Sequence, residues 1–253
     1  MVVKKNIYLF ANWKMYLDFA ESNILAHQLA AAAKKLASNL TLAVFPSALS
    51  LYTVGQVLND VKIQVGAQNV YWQDKGGFTG EISAEMFREA GCSLALVGHS
   101  ERRHLFHETD HEVRQKMEAA LGAGLTAVLC VGETQKQRDA GDTAEVLEIQ
   151  LRSALQKLSW PKKQKLIVAY EPVWAIGTGN NCDPKEAEKW HVKIKKIVST
   201  LLPKTEAIIL YGGSVRPENV AGYLQEPDID GCLIGGASAN WESLHKIIQA
   251  ASK

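Results

Sequence analysis

The sequence has no excess of either charge. Lysine and arginine number 28 against 27 aspartate and glutamate, a formal net charge of +1. That balance gives no general attraction for nucleic acid or an anionic membrane, so a small anionic ligand needs a local positive site. Cysteine is scarce: Cys92, Cys130, Cys182 and Cys232 are the only four, and none forms a C-x-x-C pair. This excludes a disulfide framework and a zinc cage, and it fits a reducing compartment. Cys130 and Cys232 lie in apolar runs and read as buried thiols. No apolar run exceeds strand length, so no membrane span is expected. Met1 to Phe10 contains two lysines but no apolar h-region and no small-residue cleavage site. No secretory signal is therefore expected, and the cytoplasm is the expected location. No linker, low-complexity tract or composition shift divides the 253 residues, which suit one domain spanning 1–253.

What the sequence does contain is alternation. Short apolar runs at Ile7–Ala11, Leu42–Phe45, Ile63–Ala67, Leu94–Gly98, Ala127–Val131, Leu166–Tyr170, Ile208–Tyr211 and Cys232–Gly235 are each followed by a longer amphipathic stretch. The runs are continuous rather than alternating, as parallel strands buried on both faces should be. Glu21–Leu36 reads as a helix with Ile24, Leu25, Leu29 and Leu36 in an alanine-rich body. Asp142 with Glu145 reads as a capping box. Asp183, Pro184 and Glu186 give an acidic N-cap, a first-turn proline and a second box, and Leu201–Pro203 ends that helix. A series of eight such units predicts an α/β fold, a single (β/α)8 barrel with eight parallel strands; an open doubly wound sheet is the alternative. In a barrel, chemistry belongs where strands end and loops begin.

Strand one ends in Asn12-Trp13-Lys14, placing Asn12 and Lys14 on one side of an extended chain. Lys14 alone reads equally as a stem reaching solvent. Strand four ends in Gly98-His99-Ser100-Glu101-Arg102, where a helix should start with Ser100 or a neighbour as its cap. A neutral imidazole there can donate a hydrogen bond; the competing reading is a histidine that satisfies a buried backbone group. Strand six ends in Glu171-Pro172, so the carboxylate is partly desolvated, a suitable setting for a general base. The following segment, Trp174, Ala175, Ile176, Gly177, Thr178 and Gly179, has an apolar middle and glycine-bracketed end. It suits either a lid or a loop packed on the barrel rim. Strands seven and eight end in Gly212-Gly213-Ser214 and Gly235-Gly236, where exposed backbone N–H groups suit a phosphate.

Other signals carry less. Gly122-Ala123-Gly124-Leu125-Thr126-Ala127 matches G-x-G-x-x-A but precedes a strand, the wrong order for a dinucleotide site. His104, His107 and His111 have one-face helical spacing, but without a fourth ligand they read as a solvated helix face rather than a metal site.

Taken together, Asn12-Trp13-Lys14-Met15, Gly98 to Arg103, Ala169 to Gly179, Tyr211 to Val215 and Gly235 to Ser238 resemble the triosephosphate isomerase family across the whole chain. Gln68 to Tyr71 and Phe78 to Ser83 resemble its third loop. The resemblance implies interconversion of dihydroxyacetone phosphate and glyceraldehyde 3-phosphate through an enediolate, in glycolysis and gluconeogenesis, without metal or cofactor. It implies Glu171 as the base, His99 as the neutral electrophile, Lys14 as the charge on the enediolate and phosphate, and Asn12 as an oxyanion donor. Glu101 and Ser100 would stand behind them. Gly177, Ser214, Gly235 and Gly236 would hold the phosphate, and Trp174 to Gly179 would close as the lid. A neutral imidazole electrophile and a closing loop are properties for which this family is itself the usual illustration. The resemblance further implies a homodimer in which the third loop, with Thr79, reaches the partner near Asn12 and Lys14. Tyr16 departs from the family's frequent asparagine, and Pro46-Ser47 from its usual proline pair. A phosphosugar aldolase using Lys14, or a catalytically silent phosphosugar-binding barrel, are the rival readings on the same fold.

Overall fold

The computed structural model describes residues 5–161, 164–177 and 180–252. Eight strands, β1 (Ile7–Asn12), β2 (Leu40–Phe45), β3 (Ile63–Ala67), β4 (Leu94–Val97), β5 (Thr126–Val131), β6 (Leu166–Tyr170), β7 (Ala207–Tyr211) and β8 (Gly231–Ile234), form a closed barrel. All neighbours are parallel, and β1 closes on β8 with Phe10 opposite Leu233. Helices lie between consecutive strands and cover the outside. Every predicted strand is present; Ile63–Ala67 and Leu166–Tyr170 keep their predicted ends, and the others shift by one or two residues. Continuous apolar runs arise because each strand has two buried faces.

Strand parity divides the core in two. Alternate residues such as Tyr8, Phe10, Phe45, Leu94, Leu96, Val128, Ile167, Ala169, Leu210 and Leu233 fill the barrel interior. The intervening residues, with the helices' apolar faces, make the larger outer layer. Gly66 is needed on the inner face, since a Cβ there would lie 2.3 Å from the Phe45 ring. Inward parity extended by one step reaches Asn12 on β1, Glu171 after β6, Gly212 after β7 and Gly235 after β8. The upper end of the barrel is therefore a layer of polar side chains and glycines.

The helices show where local reading stops. The first runs Phe19–Ala33, capped by Asp18 in a reciprocal box with Glu21. It ends before the predicted Leu36, where the Lys35 and Leu36 N–H groups turn back to Ala32 O and Ala33 O, three residues away and not four. The helix Thr143–Leu155 follows Asp142, but the Asp142 side chain makes no cap bond, so the predicted box does not form. The helix Pro184–Leu201 has the predicted Asp183 cap on Lys185 and Glu186 N–H and its proline at the first turn. Glu186 does not complete the box; its carboxylate pairs instead with Arg138 at 3.0 Å. His104, His107 and His111 do not share a helix face. Ser100–Leu105 ends before His107, which takes φ +58, and the next helix begins at Asp110. Among the described residues no cluster could hold a metal, and no helix is long and apolar enough to cross a membrane. All four cysteines are buried and free.

His191, on the Pro184–Leu201 helix, is wholly buried beside Tyr170, with Nδ1 3.3 Å from the Asp228 carbonyl. Burial holds its pKa down to about 3, against an ordinary 6.5. Between those values the unfolded chain binds a proton that the fold refuses. Stability should therefore fall as pH drops through that window, with a slope of up to about 1.4 kcal/mol per pH unit from this group. Urea midpoints measured from pH 7 down to pH 5 should fall more steeply for the wild type than for His191→Gln. Equal slopes would remove His191 from the acid response.

Candidate active site

The inward-facing layer at the strand ends opens into a cavity of about 210 Å³. Asn12, Lys14, His99, Glu171, Ile176, Gly177, Ser214, Gly235 and Gly236 all line it. Residues predicted from five separate stretches of chain thus meet in one place.

Glu171 is 1% exposed and is its centre. Its backbone continues the sheet, donating to Val131 O at 2.7 Å. The Ser100 backbone N–H donates to Glu171 Oε2 at 2.8 Å. That N–H is one of the donors left over at the start of the helix Ser100–Leu105. Among the described residues Oε1 makes no hydrogen bond. His99 Nε2 lies 3.2 Å from Oε1, but without the alignment a hydrogen bond requires. The space for this side chain is supplied by glycine. A Cβ on Gly212 would stand 2.8 Å from Glu171 Cγ, and one on Gly132 would stand 1.7 Å from Glu171 O. Burial and the nearby Glu171 also push the thiol of Cys130 well above its ordinary range.

His99 reaches the cavity against simple parity. Leu94 and Leu96 face inward, so Gly98 should follow them and His99 should face out. Gly98 takes φ +73, a left-handed turn that re-aims the next residue. His99, rather than Ser100, is then the helix cap: Glu101 N–H donates to His99 Nδ1 at 3.2 Å. Nδ1 accordingly carries no proton, the ring is neutral, and Nε2–H faces Glu171 and the cavity.

Lys14 and Asn12 meet for a different reason than the one extended spacing suggests. Lys14 is not extended; its φ is +49. Asn12 Oδ1 accepts from the Lys14 N–H at 3.0 Å, and Gln68 Nε2 donates to Lys14 O at 2.8 Å and to Phe45 O at 2.9 Å. These bonds hold the turn from both sides. The Lys14 ammonium then pairs with Glu101 Oε1 at 2.6 Å. Gly235 leaves it room, since a Cβ there would lie 3.1 Å from Lys14 Cε.

The segment after strand six forms a 3-10 turn, Val173–Ala175. Trp174 Nε1 donates to Glu133 Oε1 at 2.7 Å, Tyr170 OH donates to the same carboxylate, and the Arg138 guanidinium stacks 3.8 Å over the indole. Burial pushes the Glu133 carboxyl above its usual range. Ile176 and Gly177, the latter at φ +71, reach the cavity. Thr178 and Gly179 lie outside the described residues. The apolar tip is thus anchored on one side and on the cavity wall at the other. Sequence reasoning missed Glu133, although a carboxylate two residues past a buried strand, in Val131-Gly132-Glu133, is nearly the signal that exposed Glu171. It also missed Arg216 as a cavity wall and assigned Tyr16 only to an interface. Thr79 lies on an exposed loop outside the cavity.

A carboxylate with one uncommitted oxygen, a neutral imidazole donor, an ammonium and adjacent glycine turns can remove a proton beside a carbonyl and stabilise the resulting oxyanion. The family model described as triosephosphate isomerase matches residues 7–251. The chain is 42% identical over 241 residues to the triosephosphate isomerase of Trichlorobacter lovleyi, covering 94% of this chain and 96% of that one. It is 42% identical over 245 residues to that of Syntrophotalea carbinolica, with 96% and 97% covered. It is 43% identical over 240 residues to that of Endomicrobium trichonymphae, with 94% and 96% covered. Near-complete alignment on both sides, over a closed eight-stranded parallel barrel, leaves one assignment: the chain belongs to the triosephosphate isomerase family.

Proposed function

We propose that this cavity interconverts dihydroxyacetone phosphate and glyceraldehyde 3-phosphate, and that one domain spanning residues 1–253 carries the whole reaction. The observation that carries the reading is Glu171: a buried carboxylate with one oxygen fixed by Ser100 N–H and the other uncommitted, 3.2 Å from a neutral His99. Oε1 takes the proton from the carbon beside the carbonyl and returns it to the neighbouring carbon. His99 Nε2–H polarises the carbonyl oxygen and passes protons between the two oxygens. Asn12 commits its Oδ1 to the Lys14 backbone, so its amide N–H groups remain for the enediolate oxygen. Lys14 places positive charge beside the same oxygen and the phosphate. Backbone N–H groups of Gly177, Gly235 and Gly236, with Ser214, take the phosphate ester, a position that barrels use repeatedly. Trp174 to Gly179 close over it and exclude water, limiting loss of phosphate from the intermediate. No observation favours the aldolase.

We infer a homodimer from the surface beside the cavity. Met15 and Tyr16 are 94% and 60% exposed, and Phe78 on the projecting third loop is 40% exposed. A groove of about 440 Å³ lined by Met15, Tyr16, Leu105 and Phe106 runs into Lys14 and His99. Contiguous exposed apolar surface of this kind supports an interface. The partner's third loop, with Thr79, is its proposed occupant. A triose phosphate reaction of this type belongs in the cytoplasm, within glycolysis and gluconeogenesis.

Three outcomes check these assignments. Glu171→Gln should lower kcat in a coupled isomerase assay by about a thousandfold while a phosphate-ester inhibitor still binds, because only the proton acceptor is lost. Retained turnover would take the base role away from Glu171. Lys14→Met should both raise KM and lower kcat, since one charge serves ground state and transition state; an effect on KM alone would deny it a part in the transition state. Thr79→Asp should sediment as a single chain where the wild type sediments as two, and an unchanged dimer would remove the third loop from the interface.

A further inference from the structure

The cavity presents a charge problem. Its ligand in the isomerase reading is a phosphate ester dianion, yet Lys14 is already matched by Glu101 at 2.6 Å. Glu171 adds a buried negative charge, and His99 is neutral by its hydrogen bonding. Lys14, Glu101 and Glu171 alone would leave one unit of negative charge at the place where an anion must bind. The other cation on the cavity wall is Arg216. It is exposed and makes no ion pair among the described residues.

The backbone holds this residue in place while leaving its side chain uncommitted. Arg216 N–H donates to Asn219 Oδ1 at 2.8 Å, and Asn219 Nδ2 donates to Ser214 O at 3.0 Å. The Arg216 carbonyl accepts from Asn219 N at 3.2 Å and Val220 N at 3.1 Å, and Val215 is buried beside it. The Ser214 to Arg216 turn is therefore pinned by one asparagine. Arg216 lines the same cavity as Ser214, Gly235 and Gly236, the residues proposed to take the phosphate.

We propose that Arg216 is a specificity-determining residue that supplies the unmatched positive charge of the cavity, drawing in and favouring dianionic phosphate esters over uncharged trioses. The proposal rests on the isomerase reading above and adds to it the source of anion selectivity. A cation on a cleft wall focuses field into the opening, and it acts mainly on association and ground-state binding.

The test is a charge series, Arg216→Lys, Arg216→Gln and Arg216→Glu, assayed with glyceraldehyde 3-phosphate and with unphosphorylated glyceraldehyde from low to high ionic strength. At low ionic strength, kcat/KM for the phosphate ester should fall by about tenfold in the glutamine variant and further in the glutamate variant, mostly through KM. The lysine variant should stay within about twofold of the wild type, because it keeps the charge. Added salt should narrow these gaps, and the preference for the ester over glyceraldehyde should shrink in the same order. If glutamine and glutamate variants match the wild type, or lose both substrates equally at every ionic strength, Arg216 has no charge role and the proposal falls. A wild type inactive on both substrates would overturn the isomerase reading instead. Titration of inorganic phosphate into wild type and Arg216→Gln would then still decide the charge role, equal affinities overturning it.

Discussion

A buried carboxylate with one oxygen fixed by a backbone donor organises the rest of the site. Taking Glu171 out of water is costly, and a carboxylate so placed is normally surrounded by donors. Here the Ser100 N–H serves one oxygen, at the start of the helix after β4, with the buried Cys130 thiol nearby. That donor is fixed because β4 and the helix are fixed, so the orientation of Oε2 is inherited from the barrel. The neighbouring glycines follow from the same requirement. Gly132 and Gly212 flank the Glu171 backbone and side chain so closely that no Cβ fits at either position without displacement. Their identity is a consequence of where the carboxylate must sit.

The closed barrel turns a one-dimensional pattern into a site. Inward-facing residues fill the interior in layers until the strands end, and there the layer is left incomplete. Asn12 and Glu171 stand at inward positions, while Gly212 and Gly235 leave two others without side chains. The room at Gly212 is taken by the Glu171 side chain and that at Gly235 by Lys14, and the cavity opens beside both. Its small size, about 210 Å³, suits a ligand of few heavy atoms better than a nucleotide. His99 breaks the layer rule, and the left-handed Gly98 before it is the device that allows this.

This is also why most of the fold and site was legible in the sequence. A strand buried on both faces has to be apolar throughout, and eight such runs with helices between them nearly determine a barrel. Functional side chains then sit at a defined place relative to each run, so Asn12, His99 and Glu171 could be found by reading one step past the apolar residues. What escaped depends on contacts that local sequence does not encode. Glu186 matched a capping box, but Arg138, 48 positions away in sequence, competes for it through a charge-assisted pair. Asp142 matched another box, but its own backbone does not take the extended cap conformation. The three histidines match a helix face only if Phe106 to Thr109 are helical, and they are not. Tyr16 and Arg216 come to the cavity from loops after β1 and β7, and no spacing rule connects them.

Lys14 shows how closely stability and chemistry are tied in this layer. A non-glycine residue in the left-handed region costs on the order of 1 kcal/mol, and such strain persists only where the surroundings over-determine it. The surroundings here are Asn12 Oδ1 on the Lys14 N–H and Gln68 Nε2 on its carbonyl. Gln68 also bonds Phe45 O, so the end of β2 and the third loop take part in placing a lysine from β1. The turn aims Nζ at Glu101, which itself follows from His99 capping the next helix. Asn12, the proposed oxyanion donor, therefore has a second task. Its carbonyl oxygen positions the cation while the proposed mechanism gives its amide nitrogen to the ligand, so that both tasks fall to one planar group. An aspartate at that position would keep the bond to Lys14 but lose the donor, so the amide is the only one of the two that serves both.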